Sequence, residues 1–292
     1  MASLKEVRTR ISSTESTQQI TKAMKLVAAT KLKKATDAIA KMRPYSEKMN
    51  SILGNLASAA SEEDRVKKYF EYREVKKALV VVLSSDRGLC GGFNASVIKA
   101  TRQLVTEYYE PKGVDVEVTF LGKKAYDILK KEVSKTSTDN MGVFSDLSAE
   151  NVFAVAQQFI DAHAAEEYDE VRLVYNQFKN AATQIIKVEK MLPVQIEGVE
   201  DDAQKNIDYI FEPGQGEILV DLVPKAVKTQ LYKACLDSLA SETGARMVAM
   251  DSATENAGEL LDKLRLQYNQ ARQAAITGEI LEIVSGAAAL EG

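Results

Sequence analysis

Of the five prolines in this 292-residue chain, Pro44 is the only one before Pro111 and none lies beyond Pro224, so both ends are free to form helices of unusual length. From Ser3 to about Ala60 apolar residues recur at helical spacing, through Leu4, Val7, Ile11, Ile20, Ala23, Val27, Leu32, Ala35, Ile39, Met42 and Met49. The spacing predicts a helix of about 55 residues, roughly 80 Å long and bent near Pro44. Pro224 suits the first position of a second helix, where its missing N–H falls among donors that are unpaired anyway. About 65 residues can follow it without a break. Their stripe (Val227, Leu231, Cys235, Leu239, Met247, Leu260, Leu264, Tyr268, Ala271, Ala275) steps by threes and fours, the mark of a coiled-coil seam, although Ser241–Ala257 is small and polar. Gly244, Gly258, Gly278 and Gly286 each cost a helix about 1 kcal/mol, and close approach of another backbone is the expected gain.

Between the two helices the period changes. Strands are expected at Ala78–Ser84, Val114–Leu121, Glu132–Thr138, Glu170–Gln177 and Gln184–Leu192, with helices at Asn94–Tyr109, Lys123–Lys131 and Ala149–Glu166. That alternation implies a small doubly wound sheet with an edge hairpin. The fold class is therefore α/β, with three segments: a long helix over 1–60, an α/β domain over 75–212 and a second long helix over 213–292. A domain of about 130 residues cannot cover two such stripes, so the helices are expected to pair as an antiparallel coiled coil.

Charge is unevenly placed. Residues 1–50 carry a net +7 and residues 146–221 a net -11, within an overall -4. A basic arm suits nucleic acid or an acidic protein surface, or it is a solvated helix face. The longest wholly apolar run, Ala78–Leu83, is far short of a membrane span. MASLKEVRTR has no secretory character, and two cysteines, Cys90 and Cys235, suit reduced thiols in a cytosol-facing compartment.

Little chemistry is legible. Ser84–Asn94 (SSDRGLCGGFN) follows a strand where doubly wound folds bind phosphates, but it matches neither G-x-G-x-x-G nor G-x-x-x-x-G-K-[ST]. A tight turn in which Gly88, Gly91 and Gly92 allow close packing accounts for it. Cys90 beside Arg87 has no histidine near it in sequence, which argues against a nucleophile. His163 alone excludes histidine-rich metal sites and reads as a helix-end residue. Glu166, Glu167, Asp169 and Glu170 read as solvated. From these residues the chain is an interaction protein.

Four strings, taken in order, carry a resemblance: QQITKAMKLVAATKLKKA, SSDRGLCGGFN, ASETGARMVAMDSATENA and YNQARQAAITGEILEIVSGAAAL. Together they resemble the gamma subunits of bacterial-type F-type ATP synthases. The resemblance implies a long antiparallel coiled coil of the terminal helices with an inserted Rossmann-like α/β domain that holds no nucleotide. It implies a central rotor shaft that couples ion flow through the membrane c-ring to the cycling of catalytic subunits, and that is not itself catalytic. The implied partners are the alpha and beta subunits of the catalytic head, the epsilon subunit and the c-ring. No nucleic acid, membrane span, cofactor, metal or catalytic residue is implied, nor the cysteine-bearing insert of the chloroplast form. The implied location is peripheral, on the cytoplasmic face of the bacterial plasma membrane. The implied contacts are Lys22, Met24 and Lys25, with Lys31, Lys33 and Lys34 nearby, against an acidic loop of the catalytic subunit. Arg246 is a further implied contact, Arg272, Gln273 and Thr277 form an upper one, and Tyr209 and Glu212 form a foot on the c-ring or epsilon. The small-residue zone Ser238–Ala257 would turn weakly held in its sleeve, and Ile280–Leu290 would be an apolar bearing. Two alternatives remain: a basic-arm scaffold or nucleic-acid-binding coiled coil, and a nucleotide-dependent enzyme using the Ser84–Asn94 turn.

Overall fold

The computed structural model describes residues 4–56, 64–195 and 214–290. They fall into two compact units, one made of residues up to Ala28 together with those from Met247 onward, the other spanning Ala29–Arg246. Helix α1 (Leu4–Asn55) and helix α6 (Gln215–Leu290) each contribute to both. Within the acidic region 146–221, residues 196–213 lie outside the described residues.

The larger unit holds a five-stranded sheet of β1 (Lys77–Leu83), β2 (Asp115–Leu121), β3 (Lys135–Ser137), β4 (Glu170–Phe178) and β5 (Gln184–Leu192), in the order β3-β2-β1-β4-β5. β1, β2, β3 and β4 run parallel, and β5 pairs antiparallel with β4 as the expected edge hairpin. β1 is buried on both faces, which is why its sequence is an unbroken apolar run rather than an alternation. On one face Val80, Val82, Val118 and Phe120 pack under α3 (Phe93–Gln103), its π-helical continuation Leu104–Tyr109 and α4 (Lys123–Leu129). On the other, Leu79, Val81, Leu83, Leu173 and Tyr175 pack under α5 (Ala149–Ala164). A short helix α2 (Asp64–Phe70) was not legible in the sequence.

α6 completes that second face. Val227, Leu231 and Cys235 of the expected seam, together with Ala234, belong to the sheet's core and so cover β-strands, while Leu236 and Ala240 meet Ala35 and Ile39 of α1. Pro224 lies inside α6, about the third turn, and not at its first position. Leu219 and Val223, fully buried with Leu53, Leu56 and Val66, offset the roughly 3 kcal/mol that an interior proline costs. Pro44 is likewise inside α1.

Glu170 corrects the expectation of a solvated carboxylate. It is buried and accepts bonds from Tyr109 Oη (2.6 Å), Arg172 Nε (2.6 Å) and Lys190 Nζ (2.8 Å). Burial alone would raise its pKa, but these donors outweigh burial and hold it below the ordinary carboxylate value. Its stabilisation is therefore present above the unfolded carboxyl pKa and is lost as pH falls through the lower folded one. Glu170→Gln is expected to destabilise the chain by about 3 kcal/mol at pH 7, because two cations lose their counter-charge. The deficit should shrink on acidification below about pH 4. Denaturant unfolding at several pH values checks both. His163, in the last turn of α5, is a helix-end residue whose Nδ1 lies 2.8 Å from the Tyr168 carbonyl.

The smaller unit is an antiparallel helix pair. Thr254 donates to Thr21 Oγ1 (2.8 Å), Lys25 pairs with Asp251, and Arg265 donates to Glu15 (2.8 Å), so rising numbers on α6 meet falling numbers on α1. Buried Val7, Ala28, Met250, Ala257, Leu261 and Leu264 supply its apolar layers. Ile20 and Val27, expected in the seam, are 60% and 56% exposed, and Ala23 is exposed as well. Leu261 takes the place expected for Leu260. The physical reason is that Gln18, Thr21 and Lys25 hold the facing positions here, a polar layer that an apolar stripe cannot reveal.

Candidate partner-contact surface

The Ser84–Asn94 turn is closed by its own groups. Asn94 Oδ1 accepts from Ser85 N (3.1 Å), Asn94 Nδ2 donates to Ser85 Oγ (2.8 Å), and Ser85 Oγ donates to Arg87 O (2.7 Å). Close packing at the turn comes from Cys90 and Phe93 against Ala245 of α6, and not from Gly88 and Gly92, beside which a side chain would meet open space. Gly91 has φ +56°, and so does Leu89 nearly, at +64° with its side chain 65% exposed. Ser85 N, Ser85 Oγ and Asn94 Nδ2 are thus committed within the turn. The chain on its own is expected to show no ATP binding by calorimetry; low-micromolar binding abolished by Gly91→Ala with Gly92→Ala would contradict this. Cys90 and Cys235 are both buried, and burial pushes the Cys235 thiol far up, which disfavours its thiolate.

Arg246 is engaged within the chain. Its guanidinium donates to Glu242 Oε1 (2.6 Å) and to the carbonyls of Arg87 (3.0 Å) and Gly88 (3.2 Å). Burial raises the Glu242 pKa, and Arg246 opposes it. The small residues Ser238, Ala240, Ser241, Thr243 and Ala245 are buried in this same unit, so up to Arg246 their size serves packing within the chain rather than a loosely held outer surface. Gly244 does meet another backbone, with a built Cβ 3.1 Å from Ala181 Cα. Gly258 faces the Gln18 side chain instead, and Gly278 and Gly286 face open space, so backbone approach explains one of the four. On α1, Lys31, Lys33 and Lys34 are exposed.

In the smaller unit Lys22 is exposed, Met24 is half-buried, and Lys25 is held by Asp251. Ile20, Leu26 and Val27 form an exposed apolar strip around them. Sequence reasoning placed Ile20 and Val27 in the seam and did not single out Leu26; a strict three-four count through Thr21 and Ala28 would have found the strip. Arg272, Gln273 and Thr277 are exposed, beside exposed Ile276, Ile280, Leu281, Ile283 and Val284. Tyr209 and Glu212 lie outside the described residues.

Among the described residues no helix is long and apolar enough to cross a membrane, and no group of His, Cys, Asp and Glu has the arrangement of a metal site. The ATP synthase family model matches residues 3–290. The ATP synthase gamma chain of Christiangramia forsetii is 54% identical over 292 residues, with all of both chains covered. That of Geobacter metallireducens is 44% identical over 292 residues with the same coverage. Among solved structures, the central stalk and c-ring of the Tetrahymena thermophila mitochondrial ATP synthase contains a chain 27% identical, with TM-score 0.56, over 80% of this chain and 99% of that one. A chain of the Euglena gracilis mitochondrial ATP synthase shares the fold at 19% identity, with TM-score 0.67, over 98% of this chain and 94% of that one. Nothing in these likenesses favours a nucleic-acid-binding or scaffold protein. Matched from end to end at this identity, the chain belongs to the ATP synthase gamma-chain family.

Proposed function

We propose that this chain is the non-catalytic central shaft of a rotary, ion-translocating ATP synthase, turning inside a head of alternating alpha and beta subunits and standing with epsilon on a membrane c-ring. The observation that carries the proposal is the end-to-end family match of a chain whose two terminal helices run antiparallel. A pair of helices resists twisting better than one. In this mechanism the chain makes and breaks no bonds of ATP. It presents different side chains to each catalytic subunit in turn and so imposes a different conformation on each.

The residues divide by height along the helices. Lys22, Met24 and Lys25 meet an acidic loop of a beta subunit, and Lys31, Lys33 and Lys34 further along the sequence add charge of the complementary sign, which guides approach. Arg272, Gln273 and Thr277, with the exposed apolar residues beyond them, form the upper contact. Tyr209 and Glu212 form the foot. The complex sits on the cytoplasmic face of the bacterial plasma membrane, with this chain peripheral to it. A tagged copy purified from mildly solubilised membranes is expected to bring three alpha and three beta subunits and the c-ring per copy. Recovery of the chain alone, or with nucleic acid, would contradict the proposal.

A further inference from the structure

α6 is gripped where it crosses the carboxyl edge of the sheet. Ser241 Oγ, fully buried, donates to Asn176 O of β4 (3.0 Å). Arg246 donates to Arg87 O and Gly88 O in the turn after β1. Asn176 ties strand β4 to the start of α3, because its Nδ2 donates to Phe93 O (3.0 Å) and its Oδ1 accepts from Ser96 Oγ (3.1 Å). On the α1 side, Arg43 donates to Phe178 O (3.1 Å) and pairs at 3.6 Å with Asp237, a carboxylate with no exposed surface. Gly244 lies against the β4–β5 turn at Ala181, too close for a larger residue to enter without displacement.

We infer that residues 237–246 of α6 and the edge formed by residues 84–94 and 176–181 are the joint through which torque passes between the α/β body and the long helix. The inference rests on the shaft function proposed above. Apolar burial is non-directional and lets a helix slide or roll in its groove. Hydrogen bonds to main-chain carbonyls are directional and fix both rotation and register. The acceptors here are backbone groups anchored in, or next to, strands β1 and β4, and they meet α6 between Ser241 and Arg246, over about a turn and a half of its length. Arg246, the last residue of this unit, closes the joint, while α6 continues as helix to Leu290. Load carried by that helix enters the body at these bonds. Arg246 is accordingly a positioning residue within the chain rather than a contact with a partner.

The test uses membrane vesicles holding the complete complex, with ATP hydrolysis and ATP-driven ion pumping measured on the same sample. Arg246→Met keeps most of the side-chain volume and removes every donor, and it should lower the ratio of pumping to hydrolysis by about threefold or more, as expected for loss of roughly one net hydrogen bond. Ser241→Ala removes the donor to Asn176 O at a site with no exposed surface for a partner to touch, and it should lower the ratio in the same direction. An unchanged ratio in assembled Arg246→Met would overturn the inference. So would a lowered ratio in Arg246→Met beside an unchanged one in Ser241→Ala, which would place Arg246 against a partner. Should Arg246→Met not assemble, Ser241→Ala is read in the same way. Failure of the shaft function itself would show separately, as hydrolysis without any pumping in vesicles carrying the unsubstituted chain.

Discussion

Gly122→Ala is expected to cost more than about 4 kcal/mol and to leave the α/β body largely unfolded, an effect at the far end of what single substitutions do. Gly122 ends β2 at φ +112°, ψ 147°, a region that side chains other than hydrogen do not tolerate. A Cβ there would lie 2.7 Å from the Ser84 carbonyl carbon and closer still to its oxygen. Neither group can retreat. Ser84 N donates to Leu121 O (2.9 Å), Ala125 N donates to Ser84 Oγ (3.1 Å), and Lys124 N donates to Ser85 O (3.0 Å), so the ends of β1 and β2 are stitched together at this point. Gly92→Ala is the control: φ is -79° and the site is open, so its cost should stay within about 0.5 kcal/mol. Urea unfolding of both variants distinguishes them, and similar costs would mean that the crossing at Ser84 does not govern the fold.

Met24→Lys should have the largest effect on coupling. Met24 is half-buried between exposed Lys22 and half-buried Lys25, on the turn proposed to face an acidic loop of a beta subunit. A cation there adds a charge-assisted bond of about 1.5–3 kcal/mol. A bond of equal strength at every dwell leaves the balance among dwells unchanged, but it must break in each step and so raises the barrier between them. Assembly is expected to be intact, ATP-driven ion pumping to fall more than hydrolysis, and turnover to become more steeply temperature-dependent. Met24→Leu should be nearly silent. Both activities measured in vesicles over a range of temperatures decide this; equal loss of the two, or no loss of either, would remove Met24 from the torque-bearing contact.

The α/β body was legible because its signals are local. A run such as ALVVVL declares a strand buried on both faces, and the hairpin of β4 and β5 is spaced by a short polar turn. Both long helices were legible from the scarcity of proline, yet Pro224 misled, since burial of Leu219 and Val223 outweighs a local preference that sequence alone displays. The seam near Thr21 was hidden for the opposite reason. Its facing residues are polar, and the apolar residues beside them are the ones left at the surface. Glu170 was misread because its partners Tyr109 and Lys190 are distant in sequence, and only the fold brings them to one carboxylate. The commitment of Arg246 to the carbonyls of Arg87 and Gly88 is a contact across more than half the chain, and no pattern of spacing announces it.

The most direct measurement of all is rotation. Ile128 is exposed on α4, and the native thiols are buried, so Ile128→Cys gives a selective attachment point on the α/β body for an optical probe. In complexes fixed to a surface through the catalytic head and supplied with ATP, the probe should turn continuously in one direction, pausing three times per revolution. Sustained ATP hydrolysis with the probe stationary would contradict a shaft function for this chain.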